Sequence, residues 1–269
     1  MMQPIDLTFF IALFGSLIAG LWDLKTTEIP EEIPALMTGF GLFIWFIYAL
    51  SIGNMYPLFL SVIVGTMFLS IGWVFYRMGQ WGDGDAAIMA SIGYLVPFFP
   101  SIPLFSFSFF VNIFIVGLFW VVIYGLFAGL RNEKVIKRFI REFKRDWKKI
   151  LILPVFTFIL LSFMFYYVEF FHWMFLISII SIVFFFSIFV KFGKIVEEEA
   201  FIRTIPVSEL RPGDVLASSK VWEGLTKQDV ERLKRKGGKV KIKDGVRFGI
   251  VFPIALFLTV FYGNILFFI

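Results

Sequence analysis

The apolar residues of this chain fall in runs too long for the core of a soluble domain. Eight stretches read as spanning helices: Ile5–Trp22, Ile33–Ile52, Tyr56–Tyr76, Ala86–Phe99, Leu104–Gly129, Leu151–Val168, Phe171–Val190 and Phe248–Phe268. About 18 consecutive apolar residues are enough to cross the hydrocarbon layer of a bilayer. The fourth stretch is short, ends at Pro97 and Pro100, and is expected to begin inside the membrane. Composition agrees: 59% of residues are hydrophobic and mean hydropathy is +0.87, against about 45–50% apolar in ordinary soluble domains. The expected fold is an all-α polytopic membrane protein of six to eight transmembrane helices.

Lysine and arginine give the orientation, because cytoplasmic loops retain basic residues. With the N-terminus outside, the inner segments are 23–32, 77–85, 130–150 and 191–247, and they hold all 25 basic residues of the chain. Asp23, Asp83 and Asp85 then share the cytoplasmic side. Ile5–Trp22 is not expected to be a cleaved signal peptide, since it lacks a basic start and runs into Asp23. The expected organisation is a transmembrane core over 1–130, a basic interfacial helix over 131–150 and an additional hairpin over 151–190. A small α+β cytoplasmic module over 191–247 and a C-terminal transmembrane helix over 248–269 complete it.

Between the third and fourth apolar runs lies Trp81-Gly82-Asp83-Gly84-Asp85-Ala86. Carboxylates at the mouth of an apolar helix are costly and point to function. The same four residues also suit a plain turn, and Asp85 suits a helix cap, so both readings stand on these residues alone. Two stripes of small residues add to the functional one. Ala12, Ser16 and Gly20 lead to Asp23 on one face of the first helix, and Ala86, Ala90 and Gly93 line the fourth. Small faces let helices approach closely, so helices one and four are expected to pack there and bring Asp23 to Asp85.

The other charged segments read more simply. In 131–149, Ile136, Phe139, Ile140, Phe143 and Trp147 form an apolar face on a basic helix, as expected of a helix lying on an anionic inner leaflet. The membrane accounts for this charge, so no nucleic-acid partner is expected. Glu169 and His172 sit in the turn between helices six and seven, either as a proton site or as interfacial polar residues beside Tyr166, Tyr167 and Trp173. In the module, Phe201–Ile205 and Val215–Ser219 read as strands and Arg211-Pro212-Gly213-Asp214 as a turn. Thr226 with Asp229 reads as a capping box, and Lys239–Lys243 as an edge strand.

The residue inventory narrows the chemistry. There is no cysteine and one histidine, which removes thiolate catalysis, cysteine metal sites and multi-histidine sites, and no cofactor or metal is expected. Two carboxylates about 3 Å apart share a proton, because both cannot readily ionise. One then serves as general base toward water and the other as general acid. The glycines would let such a site accept an unwound peptide as an extended strand.

Gly82-Asp83-Gly84-Asp85 resembles the G-x-G-D signature of membrane aspartyl proteases. Asp23, followed by Leu24, Lys25 and then Ile29-Pro30, looks like the first-aspartate region of the type IV prepilin peptidase family. The order of helices is similar over about residues 5–130. A late soluble module before a last helix is similar to the archaeal members, the prepilin and preflagellin (archaellin) peptidases. The resemblance implies an aspartic endopeptidase that removes a short basic leader, with Asp23 and Asp85 as catalytic pair and Asp83 at the variable position. Gly82 and Gly84 complete the signature and supply backbone flexibility. Partners would be prepilin-like or preflagellin precursors and the lipid bilayer, with the site facing the cytoplasm. An acidic site would favour the basic leader, although charge attraction reaches only about 8 Å at physiological salt.

Two departures are visible. Ala86 and Ala87 stand where many relatives carry a basic residue, and helices six and seven are extra, which points toward pilin-like substrates. No Cys-rich loop or methyltransferase region of the bacterial relatives is seen. Two other functions fit a polytopic chain: a proton-coupled transporter with Asp23, Asp85 and Glu169 as relay, and a non-catalytic membrane assembly protein. The first expects acids spread through the membrane depth, the second no pairing of Asp23 with Asp85.

Overall fold

The computed structural model describes residues 3–168, 173–220 and 222–267. The expectations for Glu169 and His172 lie outside the described residues. Among the described residues, six helices are long and apolar enough to cross a membrane, so the chain is a multi-pass membrane protein with a small sheet module. It divides into two compact units, Met1–Val122 with Thr204–Ile269, and Ile123–Arg203.

The first unit begins with three long helices, α1 (Pro4–Thr26), α2 (Glu32–Ile52) and α3 (Tyr56–Arg77), around a short fourth, α4 (Asp83–Leu95). The fourth apolar run thus yields a helix of 13 residues, rising about 20 Å against the roughly 30 Å of a hydrocarbon layer. It ends before Pro97 because the residue preceding a proline is steered out of the helical region. Ile88, Met89, Ile92 and Leu95 are all fully buried, so α4 is the centre of the unit.

A helix buried in apolar surroundings must have its terminal carbonyls satisfied by its neighbours. The C-terminal end of α4 meets this demand with side chains from two helices. Trp45 of α2 donates its indole N–H to the Leu95 carbonyl at 3.0 Å, and Ser61 of α3 donates to the Tyr94 carbonyl at 2.6 Å.

Two members of the α4 small-residue stripe, Ala86 and Gly93, pack on α3. Helices α1 and α4 also touch. A Cβ at Gly72 of α3 would stand 2.8 Å from the Ala86 Cα, and Gly93 abuts Gly65 and Phe68 of the same helix. That part of the small face of α4 is therefore set against α3, which runs into it through a short connection. On α1, Ala12, Ser16, Gly20 and Asp23 are all buried, with Gly20 set against Gly249 and Ile250.

The α5 helix runs Phe105–Leu130, and the last apolar run forms a helix, α9, only over Val251–Tyr262. The chain leaves that helix at Gly263, whose φ is +72°. Buried Asn112 of α5 makes the break tolerable. Its amide N–H groups reach the Thr259 hydroxyl at 2.8 Å and the Gly263 carbonyl at 2.7 Å, and its oxygen accepts from the Ile265 N–H at 3.0 Å.

Between them lies the module. Strands β1 (Ile202–Pro206), β2 (Val215–Leu216) and β3 (Lys239–Lys243) form a sheet in the order β1-β3-β2. Lys239–Lys243 is therefore the central strand rather than an edge. The edges are β1, which ends in Pro206, and the two-residue β2, as expected where a proline or a short strand leaves one side unpaired. The capping box opens α8 (Lys227–Lys236), with the Thr226 hydroxyl accepting from the Asp229 N–H at 3.2 Å. The Arg211–Asp214 turn closes through the Asp214 N–H and the Arg211 carbonyl at 3.2 Å, with Gly213 at φ +91°. Leu210, Val230 and Ile242 form its small core.

In the second unit the basic segment and the sixth apolar run are one helix, α6 (Glu133–Val168), that returns as α7 (Trp173–Val196). Thirty-six residues rise about 54 Å, well beyond an apolar layer, so the charged half projects outside it. Part of that charge is neutralised within the unit. Arg138 bonds Glu142 at 2.8 Å, Glu199 at 2.6 Å and Glu198 at 2.5 Å, while Lys191 bonds Asp146 at 2.7 Å.

Removing the cap at the buried end of α4 tests this account. Trp45→Phe keeps the ring but leaves the Leu95 carbonyl without its donor, a loss of about 1–3 kcal/mol. Unfolding by SDS titration in mixed micelles is expected to shift to lower SDS fraction by that amount, and an unchanged midpoint would refute the role.

Candidate active site

Asp23 lies in the last turn of α1. That helix ends at Thr27, which adopts the left-handed conformation and donates its N–H to the Asp23 carbonyl at 2.8 Å. The Asp23 side chain is buried, and its Oδ2 accepts the Gly249 N–H at 2.9 Å. Gly249 lies just before α9, and the crossing needs a residue with no side chain. A Cβ there would stand 3.1 Å from both Cβ and Oδ2 of Asp23 and 3.2 Å from the Gly20 Cα.

Asp85 is the third residue of α4. Its Oδ2 accepts the Gly82 N–H at 3.0 Å. The N-cap is Gly82 rather than Asp85, because the helix opens at Asp83, earlier than the capping reading of the sequence placed it; the bond to Gly82 still fixes the Asp85 carboxyl near the helix start, where the positive end of the helix dipole favours negative charge. Asp83 is exposed and bonds locally, accepting the Gly84 N–H at 2.8 Å. Gly84 faces Ile29, whose Cβ would lie 2.8 Å from an added Cβ.

The fold brings Asp23 and Asp85 close enough for their charges to repel, and the Asp83 charge also acts on Asp85. Against this negative pair stands one cation that sequence reasoning counted only among the inner-loop charges. Arg247 is close enough to attract the Asp23 carboxylate, and its guanidinium donates to the Leu24 carbonyl. Its own carbonyl is held by the Trp120 indole at 2.9 Å. No local pattern marks Arg247; its only sequence cue is a position directly before the last apolar run.

The module also reaches the signature loop. Trp222 donates its indole N–H to the Gly79 carbonyl at 2.9 Å and forms a parallel bridge with Gly82. The Glu28 carboxyl, in the loop after Asp23, lies against Gly213. Both loops that carry acids are therefore braced by residues from beyond position 204.

A pair of neighbouring carboxylates with unequal surroundings is a group suited to general acid–base attack on a peptide bond. Residues 10–127 match the type IV leader peptidase family. That segment contains Asp23, Gly82, Asp83, Gly84 and Asp85, and the resemblance drawn from those residues is borne out over it. The prepilin peptidase EppA of Methanothermobacter thermautotrophicus is 29% identical over 101 residues, which is 38% of this chain and 26% of that protein. The chain thus aligns with about a quarter of the length of this curated relative. No solved structure matches the chain significantly.

The brace makes a prediction for this loop. Trp222→Phe removes the bond to the Gly79 carbonyl while keeping an aromatic ring. Backbone amides of residues 79–84 are expected to exchange with solvent about five- to tenfold faster, following the loss of roughly 1 kcal/mol per hydrogen bond. Unaltered exchange in that loop would refute the brace.

Proposed function

We propose that this protein is a membrane aspartic endopeptidase that removes a short basic leader from prepilin-like or preflagellin precursors at the cytoplasmic face. The observation that carries the reading is the pairing of Asp23 with Asp85, far apart in sequence, within a segment similar to leader peptidases. The name of the archaeal relative, a prepilin peptidase, supports the same substrate class. The concentration of basic residues in 23–32, 77–85, 130–150 and 191–247 supports the cytoplasmic orientation.

One carboxylate of the pair takes a proton from water, and the resulting hydroxide attacks the scissile carbonyl. The other, protonated, donates to the carbonyl oxygen and then the proton passes to the leaving amine, so the pair ends the cycle sharing one proton again. Asp23 and Asp85 fill these roles. Gly82 and Gly84 leave room for backbone to approach, and Asp83, exposed and bonded only locally among the described contacts, is a surface charge beside the site.

Cleavage of a pilin-like precursor with a basic leader, measured in membranes, tests the assignment. Asp23→Asn and Asp85→Asn are each expected to lower kcat by at least about a thousandfold, since the shared proton and the base are lost together. Asp83→Asn is expected to stay within about threefold of the unaltered protein. Normal cleavage by inserted Asp23→Asn or Asp85→Asn protein would overturn the peptidase reading.

A further inference from the structure

The segment Arg247–Ile250 lies outside the part of the chain similar to leader peptidases, which ends at residue 127. It nevertheless supplies the hydrogen bond to the Asp23 carboxyl and a cation that acts on it. The Gly249 N–H bonds the Asp23 carboxyl at 2.9 Å. The Arg247 guanidinium bonds the carbonyl of Leu24, the next residue along α1, and its charge acts on the Asp23 carboxylate. Gly20, one turn earlier, is packed so closely that an added Cβ would lie 2.8 Å from the Ile250 Cα. Three consecutive features of α1 are thus held by one short strap.

We infer that Arg247 and the Gly249 amide are positioning residues that clamp Asp23 at the end of α1 and hold its carboxylate toward Asp85. The inference rests on the proposed peptidase function, but the clamp itself is a property of the fold. Arg247 is not a catalytic residue, since it acts through Asp23. Its guanidinium satisfies a carbonyl that the end of a helix leaves without an internal partner, and it offsets the repulsion that two acids at one place would otherwise exert on each other. The guanidinium Nε is buried without a hydrogen-bond partner among the described residues. Such a group is costly to leave unsatisfied, which marks Arg247 as held for its charge and its reach rather than for complete bonding. The strap also explains why the module ends where it does: the chain must leave β3, pass over Asp23 and only then enter α9.

The test compares the full chain with Arg247→Met, Arg247→Lys and Gly249→Ala in membranes, with Asp23→Asn as reference. For Arg247→Met, kcat is expected to fall about ten- to a hundredfold, matching the loss of a charge-assisted hydrogen bond, with KM within about twofold. Arg247→Lys, which keeps the charge and a donor, is expected to recover most of that loss. Gly249→Ala, which forces a Cβ against Asp23, is expected to lower kcat as well. Amide exchange over residues 23–27 and 249–250 reads the clamp without any cleavage and is expected to rise about tenfold in Arg247→Met, while α2 stays protected. Equal losses in the Met and Lys variants, a change in KM alone, or unaltered exchange at 249–250 would overturn the clamp. If exchange rises as stated but the unaltered protein cuts no precursor, the clamp stands and the peptidase reading fails.

Discussion

The unit that carries the acids depends on burying most of one short helix. In an apolar layer an unsatisfied backbone carbonyl is expensive, so α4 can be central only if its ends are bonded by side chains from its neighbours. Trp45 and Ser61 provide this at the C-terminal end, and the Asp85 carboxyl does so at the N-terminal end through the Gly82 N–H. The same requirement ties α2 and α3 to α4 at fixed height. It also explains the tight small-residue contacts of Ala86 with Gly72 and Gly93 with Gly65.

In the proposed function, capping and chemistry meet in Asp85. A carboxyl that accepts the N–H of the residue capping its own helix is held in one orientation by the fold, before any substrate arrives. Asp23 is oriented by a different means, from the far end of the chain, through the Gly249 N–H and the charge of Arg247. The two acids therefore face unequal surroundings: one against a helix start with Asp83 beside it, the other beneath an arginine. Unequal surroundings are what a pair of carboxylates needs in order to divide acid and base roles.

The segment beyond position 204 reaches both loops that carry acids. Trp222 braces the signature loop, Gly213 lies against Glu28, and Trp120 holds the backbone at Arg247. In the other unit, Arg138 is committed to three carboxylates and Lys191 to Asp146. Those pairs turn a strongly basic segment into one that is partly neutralised before it meets any surface.

Much of this was legible in the chain. Long apolar runs announce spanning helices because the bilayer sets a minimum length, and Thr226 with Asp229 announces α8 because capping is a local interaction between residues three apart. Pro97 marked the end of α4, and the Arg211–Asp214 turn followed from Pro-Gly geometry. What sequence reasoning misassigned was decided by contacts it cannot see. Ala86 and Gly93 of α4 went against α3, Lys239–Lys243 became the middle strand, and the basic helix ran on without a break into the sixth apolar run. The long apolar runs determined by themselves that the chain is a multi-pass membrane protein, and Asp23 with Gly82–Asp85 carried the resemblance to leader peptidases. Which groups hold those acids was decided only by tertiary structure, because Arg247 and Gly249 reach Asp23 across more than two hundred residues, and nothing in a local pattern records a contact of that span.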